Sequence, residues 1–177
     1  MKKILVTGAN GQLGSEIKEL ASNYPQFDFI FTDIDDFPLD QTEVIISNFE
    51  RIQPDIVINC AAYTAVDKAE QDQVVADAIN HLAIATLATL CSESGAQLVH
   101  ISTDYVFDGT SPVAYTEEDQ PNPKSVYGLT KLAGETACLK NCPDSIIIRT
   151  AWVYSEFGKN FVKTMLRLMS ERDSLNV

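Results

Sequence analysis

The chain has 177 residues, with 13 Lys and Arg against 25 Asp and Glu, a formal charge of −12. At 45% hydrophobic and 21% charged it has the usage of an ordinary globular domain, and a chain of this length buries roughly two thirds of its unfolded surface, which argues against disorder. An acidic excess repels phosphate backbones, so nucleic-acid binding through a basic face is disfavoured, and any anionic ligand must be held by local dipoles. No stretch approaches the ~18 unbroken apolar residues of a membrane span, and the opening Met1 to Val6 meets Gly8, Asn10 and Gly11 before a signal core forms. A cytoplasmic protein is expected.

Strand-length apolar runs alternate with segments of helical period. That alternation predicts an α/β fold, a Rossmann-type doubly wound parallel sheet in three layers. The strands read as Lys3 to Thr7, Phe27 to Thr32, Ile56 to Cys60, Gln97 to Ser102 and Ser145 to Thr150. Helices read as Gln12 to Asn23, Thr42 to Arg51, Asp72 to Ser94, Val126 to Lys140 and Asn160 to Ser170. In the third helix Val75, Ile79, Leu82, Ala85 and Leu90 fall near one face, and Gly95 stops it. The Pro-rich stretch from Asp104 to Lys124 is read as a long irregular loop at the ligand side of the sheet, with Glu117-Glu118-Asp119 as a solvated face. Cys60 and Cys91 are expected in the core, and Cys138 and Cys142 form no zinc-like pattern with them.

Gly8, Gly11 and Gly14 follow the first strand and open the first helix. Such a turn brings backbone close to a pyrophosphate and presents the unpaired N–H groups of a helix start to it, although the spacing is GxxGxxG rather than GxGxxG. Asp33 ends the second strand, where a carboxylate can accept from an adenosine ribose and leans the choice toward NADH over NADPH; Asp35 and Asp36 are its alternatives. Asp40 and Gln41 precede a helix and read either as an N-cap or as an adenine contact.

Tyr127 and Lys131 stand one helical turn apart, and an ammonium beside a phenol lowers its pKa, making a proton donor for a carbonyl oxygen. Thr103 ends the fourth strand just upstream and can polarise the same carbonyl. Asn80 lies inside the third helix, where it reads as a surface residue or as one that orders water for a proton relay.

These residues resemble the short-chain dehydrogenase/reductase superfamily, extended type, and within it the dTDP-4-dehydrorhamnose reductase family. The resemblance is carried along the whole chain by VTGANGQLG (Val6 to Gly14), NCAAYTAVDKAE (Asn59 to Glu70), STDYVFDG (Ser102 to Gly109), YGLTKLAGE (Tyr127 to Glu135) and RTAWVY (Arg149 to Tyr154). It implies NADPH- or NADH-dependent reduction of a 4-keto dTDP-sugar to dTDP-L-rhamnose. On that reading Tyr127 donates the proton, Lys131 binds the nicotinamide ribose, and Thr103 assists at the carbonyl. Gly11, Gln12 and Leu13 would hold the pyrophosphate; Asp33, Asp40 and Gln41 the adenosine half; Ala62, Tyr63 and Thr64 the nicotinamide side. Thr103, Asp104 and Trp152 would meet the sugar. Some relatives are associated with Mg2+, for which the sequence shows no ligand cluster. Relatives run longer, so residues 1–177 are expected to form an NAD(P)-binding domain without a complete substrate lobe, with impaired turnover and a sixth strand starting at Leu175 to Val177. The alternatives are a non-catalytic NAD(P)-binding regulatory subunit or another sugar-nucleotide reductase or epimerase. A homodimer is compatible with the unfinished sheet edge but not specified by the sequence.

Overall fold

Strands β1 (Lys2–Thr7), β2 (Phe27–Thr32), β3 (Ile56–Asn59), β4 (Gln97–Thr103) and β5 (Ile146–Thr150) form one all-parallel sheet in the computed structural model, which describes residues 1–175. The strand order is β2-β1-β3-β4-β5. From β1 the chain goes to one side of the sheet for β2 and to the other for β3, so the crevice between the carboxyl ends of β1 and β3 is the switch point at which such sheets bind ligands. Register is continuous there, with Thr7 beside both Thr32 and Asn59, and Asn59 beside His100. Asn176 and Val177, on which the expected sixth strand falls, lie outside the described residues.

The flanking helices are α1 (Gln12–Leu20), α2 (Thr42–Ile52), α3 (Val66–Ala69), α4 (Gln73–Asp77), α5 (Ala83–Ser94), α6 (Val126–Asn141) and α7 (Phe161–Glu171). The core packs Leu5, Val57 and Leu98 from the sheet against Ile45 and Phe49 of α2, Ile84, Leu87 and Cys91 of α5, and Cys138 of α6. Burying each large apolar side chain contributes about 1.5–3 kcal/mol, which fixes these three helices on one face of the sheet.

The third helical segment departs from its sequence reading in two ways. It is not one continuous α-helix, because a π turn at Ala78–Leu82 separates α4 from α5. Its core face is also rotated: Ala76, Asn80, Ala83, Ile84, Leu87, Ala88 and Cys91 are buried, whereas Val75 and Leu82 are exposed. Small residues face inward because α6 approaches closely there. Gly95, at φ +75°, does end the helix, its N–H donating to the Cys91 carbonyl. The run Gln73–Ser94 is the one helix among the described residues long and apolar enough to cross a membrane; here it packs against β4 and α6.

Candidate active site

A cleft of about 930 Å3 opens at the carboxyl ends of β1, β3, β4 and β5. Its walls bring together Gly8, Gly11, Gln12, Leu13, Asp33, Ala62, Thr64, Thr103, Asp104, Tyr127, Lys131 and Trp152, all singled out from the sequence. Gly14, Asp40, Gln41 and Tyr63 are not part of the wall.

Gly8 takes φ +66°, and a Cβ on it would stand 2.7 Å from the Ala61 backbone, so only glycine lets the turn lie against the end of β3. Gly14 supports the turn from below: a Cβ there would run into the Gly8 carbonyl and lie 2.6 Å from Ala9 Cα. Gly11 is the N-cap of α1 and has no side chain to offer, which leaves the first N–H groups of that helix, on Gln12 and Leu13, facing the cleft unpaired by a cap.

At the β2 end, Asp33 accepts from Asn10 N at 2.7 Å and from Ile34 N at 2.9 Å, so its carboxylate both buttresses the glycine turn and reaches the cleft. Asp36 accepts from Asp33 N. Gln41 occupies the N-cap position of α2 without a side-chain cap, and Asp40 beside it is exposed. Neither touches the cleft, because the wall there is made by Ile34, Phe37 and Leu39, an apolar surface that the sequence reading did not single out. Cys60 also differs from expectation. β3 ends one residue earlier, at Asn59, so Cys60 is half-buried in the cleft wall, with burial pushing its thiol up to about 12.

Tyr63 turns away from the cleft, its hydroxyl donating to Asp72 at 2.8 Å. Its backbone is gripped by Asn80, buried in the π turn. Asn80 Oδ1 accepts from Tyr63 N at 2.9 Å, and Nδ2 donates to Tyr63 O at 3.1 Å and to Thr130 Oγ1 at 3.2 Å. Both amide hydrogens are thereby used within the protein, and Asn80 is buried rather than a surface residue.

The start of α6 is fastened from two directions. Ser125 Oγ accepts from Gly128 N, and Glu70 Oε1 accepts from Val126 N at 2.9 Å, which satisfies two of the orphan N–H groups of the helix start. Tyr127 packs edge-on against Tyr105, with ring centroids 5.5 Å apart. Burial pushes its phenol above the ordinary range, the Thr103 hydroxyl beside it opposes the rise, and the Asp104 carboxylate adds to it. The expected lowering by Lys131 is therefore not what the structure shows. Lys131, 1% exposed, points its amine instead at the Ile101 carbonyl, 2.7 Å away, and at His100 Nε2, 3.4 Å away.

Behind this pair, Glu135 accepts from Ser102 Oγ and from Arg149 Nη2, the latter at 2.7 Å. Arg149 also lies over the Phe107 ring, which stacks on Tyr115 at 4.3 Å. Asp108 completes the support by accepting from Thr110, Tyr115 and Asn122, which hold its carboxyl well below the usual range. The long irregular loop is thus pinned to β4 and β5, and its acidic run is exposed.

On the far wall, Trp152 is 76% exposed at φ +53° and stacks edge-on with Phe161, so it is a cleft residue rather than a core one. The segment after it crosses to the start of α1: Asn160 Nδ2 donates to Gln12 Oε1 at 2.9 Å, and Gly158 and Lys159 join the cleft wall. Among the described residues no group of three or more His, Cys, Asp or Glu is placed to hold a metal ion.

Residues 1–177 match the family described as the RmlD substrate binding domain. The chain belongs to that family. Among similar members, a dTDP-4-dehydrorhamnose reductase from Sinorhizobium fredii is 44% identical over 175 residues, which is 99% of this chain and 58% of the relative. A solved structure named as that reductase, from Clostridium acetobutylicum, is 45% identical with a TM-score of 0.93, over 98% of this chain and 61% of its own. Another, from Bacillus anthracis in complex with NADP, is 40% identical with a TM-score of 0.91, over 97% and 61%. The chain thus spans about three fifths of the length of these family members.

Proposed function

We propose that residues 1–177 form the NAD(P)-binding domain of a reductase that converts the 4-keto group of dTDP-4-dehydro-L-rhamnose to the alcohol of dTDP-L-rhamnose, using NADPH or NADH. The observation that carries this reading is the convergence of Tyr127, Thr103 and Lys131 with the glycine turn in one cleft. The naming of the similar proteins and the NADP held by the Bacillus anthracis relative support it.

The walls fit a dinucleotide. The N–H groups of Gln12 and Leu13 suit a pyrophosphate, Asp33 a ribose, and the apolar wall of Ile34, Phe37 and Leu39 a flat base. The reduced nicotinamide, when bound, supplies the hydride. Tyr127 Oη gives its proton to the oxygen of the reduced carbonyl, so that hydride and proton together make the alcohol. A raised pKa keeps the phenol protonated beforehand, which is the state a proton donor needs. Thr103 and Asp104 orient the sugar carbonyl, Lys131 holds the ribose hydroxyls, and exposed Trp152 offers an apolar wall to the sugar.

Supply of dTDP-4-dehydro-L-rhamnose with NADPH tests this, with loss of NADPH absorbance and formation of dTDP-L-rhamnose as the readouts. The reading predicts product that disappears in Tyr127→Phe. NADPH binding with another keto sugar consumed in preference would overturn the substrate assignment.

A further inference from the structure

His100 has no part in the chemistry above, yet it is one of the most deeply buried side chains and lies beside Lys131. Four polar side chains form an unbroken chain across the sheet: Thr7 on β1, Asn59 on β3, His100 on β4 and Lys131 on α6. Thr7 Oγ1 donates to Asn59 Oδ1 at 2.6 Å. Asn59 Nδ2 lies 3.3 Å from the Ala61 carbonyl and 3.0 Å from His100 Nδ1. The Ala61 carbonyl can only accept, which fixes the amide with its nitrogen on that side. His100 Nδ1 is then an acceptor, and the hydrogen of the neutral imidazole must sit on Nε2. It is Nε2 that faces Lys131 Nζ at 3.4 Å.

An N–H pointed at an ammonium meets another donor; pointed at an uncharged amine it meets a lone pair. We propose that His100 is a positioning residue for Lys131, holding the amine against the Ile101 carbonyl and, by presenting an N–H to it, opposing its charge. The surroundings agree. Burial brings Lys131 down to about 8, and burial with the Lys131 charge holds His100 well below its ordinary range, in its neutral form. Glu135, on the same helix, is the one carboxylate acting to raise Lys131, and it is already engaged by Ser102 on β4 and Arg149 on β5. Tyr127 on α6 and Cys60 after β3 are both pushed up and so uncharged near neutral pH. The chain ends at Thr7, next to Gly8 of the glycine turn, so the group proposed to hold the ribose and the turn proposed to hold the pyrophosphate share one hydrogen-bonded path.

The role of His100 rests on protein geometry alone and is tested without cofactor or substrate. Nitrogen-15 NMR of the whole chain reads the His100 tautomer directly: hydrogen on Nε2 at neutral pH is expected, and hydrogen on Nδ1, or a cationic ring, would overturn the proposal. Carbon-13 labelling of the lysines, with Lys131 assigned by its loss in Lys131→Met, then follows its titration. His100→Gln preserves the arrangement, because its amide oxygen can accept from Asn59 Nδ2 while its NH2 group faces Lys131 as the Nε2–H does, so the Lys131 titration should stay in place. His100→Leu presents no N–H, and there the Lys131 titration should move up by at least about half a pH unit, a roughly threefold gain in proton affinity, while the other lysines stay in place. An unchanged or lowered Lys131 titration in a folded His100→Leu protein would overturn the proposal. If neither variant folds, the tautomer measurement on the unaltered chain decides.

Discussion

Asn80 holds Tyr63 by both of its backbone polar groups, N–H to Oδ1 at 2.9 Å and carbonyl to Nδ2 at 3.1 Å. The pairing spans 17 residues and sets the path of the segment that places Ala62 and Thr64 in the cleft. Asn80→Ala leaves two half-buried backbone groups without their partner, so it should lower the unfolding free energy by roughly 1–3 kcal/mol in a denaturant titration. The same variant should weaken NADPH binding, because the cleft wall after β3 loses its anchor.

Gly134→Ala should also destabilise, against the usual trend. Alanine in a helix interior is normally favoured over glycine by about 1 kcal/mol. Here its Cβ would run into the Asn80 carbonyl of the π turn, and two backbone segments must separate. A loss of roughly 1–3 kcal/mol is expected from overpacking. A Gly134→Ala chain more stable than the parent would show that α6 and the π turn are not in that contact.

Much of this frame was legible in the sequence. All five strands begin and end within a residue or two of their reading, because strands of a parallel sheet covered by helices are unbroken apolar runs with little ambiguity. The glycine turn, Tyr127, Lys131 and Thr103 were legible because each sits at a fixed place relative to a strand end. What escaped depended on distant contacts. The π turn exists to aim Asn80 at Tyr63, and a five-residue change of helical pitch leaves no mark on periodicity. The inward face of the third helical segment begins with Ala76, Asn80 and Ala83, so the larger Val75 and Leu82 pointed the reading to the wrong side. Ile34, Phe37 and Leu39 read as loop residues, and Lys159 reaches the cleft only because Asn160 meets Gln12, 148 residues away. The Lys131 amine meets a carbonyl and an imidazole of β4, which helix spacing cannot reveal.

Lys131→Met should make the chain more stable and less able to bind cofactor. The folded pKa of Lys131 is about 8 against an ordinary 10.5, so below pH 8 the unfolded state holds the proton more tightly and folding carries the full penalty. That penalty shrinks as pH rises from 8 and is gone above 10.5. Allowing for the lost bond to Ile101, Met should stabilise by roughly 2 kcal/mol at neutral pH. The gain should fade in denaturant titrations at pH 10, and NADPH affinity should fall at least about tenfold, ~1.4 kcal/mol. A destabilised variant would contradict the assignment of Lys131 as a buried charge without a carboxylate of its own.

Asp33→Asn keeps an acceptor for Asn10 N and removes the charge at the ribose end of the cleft. A 2′-phosphate no longer meets a like charge, so the ratio of NADPH to NADH affinity should rise by about tenfold, ~1.4 kcal/mol. Parallel calorimetric titrations with the two cofactors check it. An unchanged ratio would place the adenosine ribose elsewhere.

On the proposed function, the cleft at the β1–β3 switch point holds a nicotinamide dinucleotide. Trp152 is the sole tryptophan of the chain and lines that cleft, so its fluorescence reports occupancy. Titration with NADPH and with NADH should quench it saturably at one cofactor per chain, and Lys131→Met should shift the curve to higher concentration. No saturable change with either cofactor, together with no heat of binding, would contradict the account.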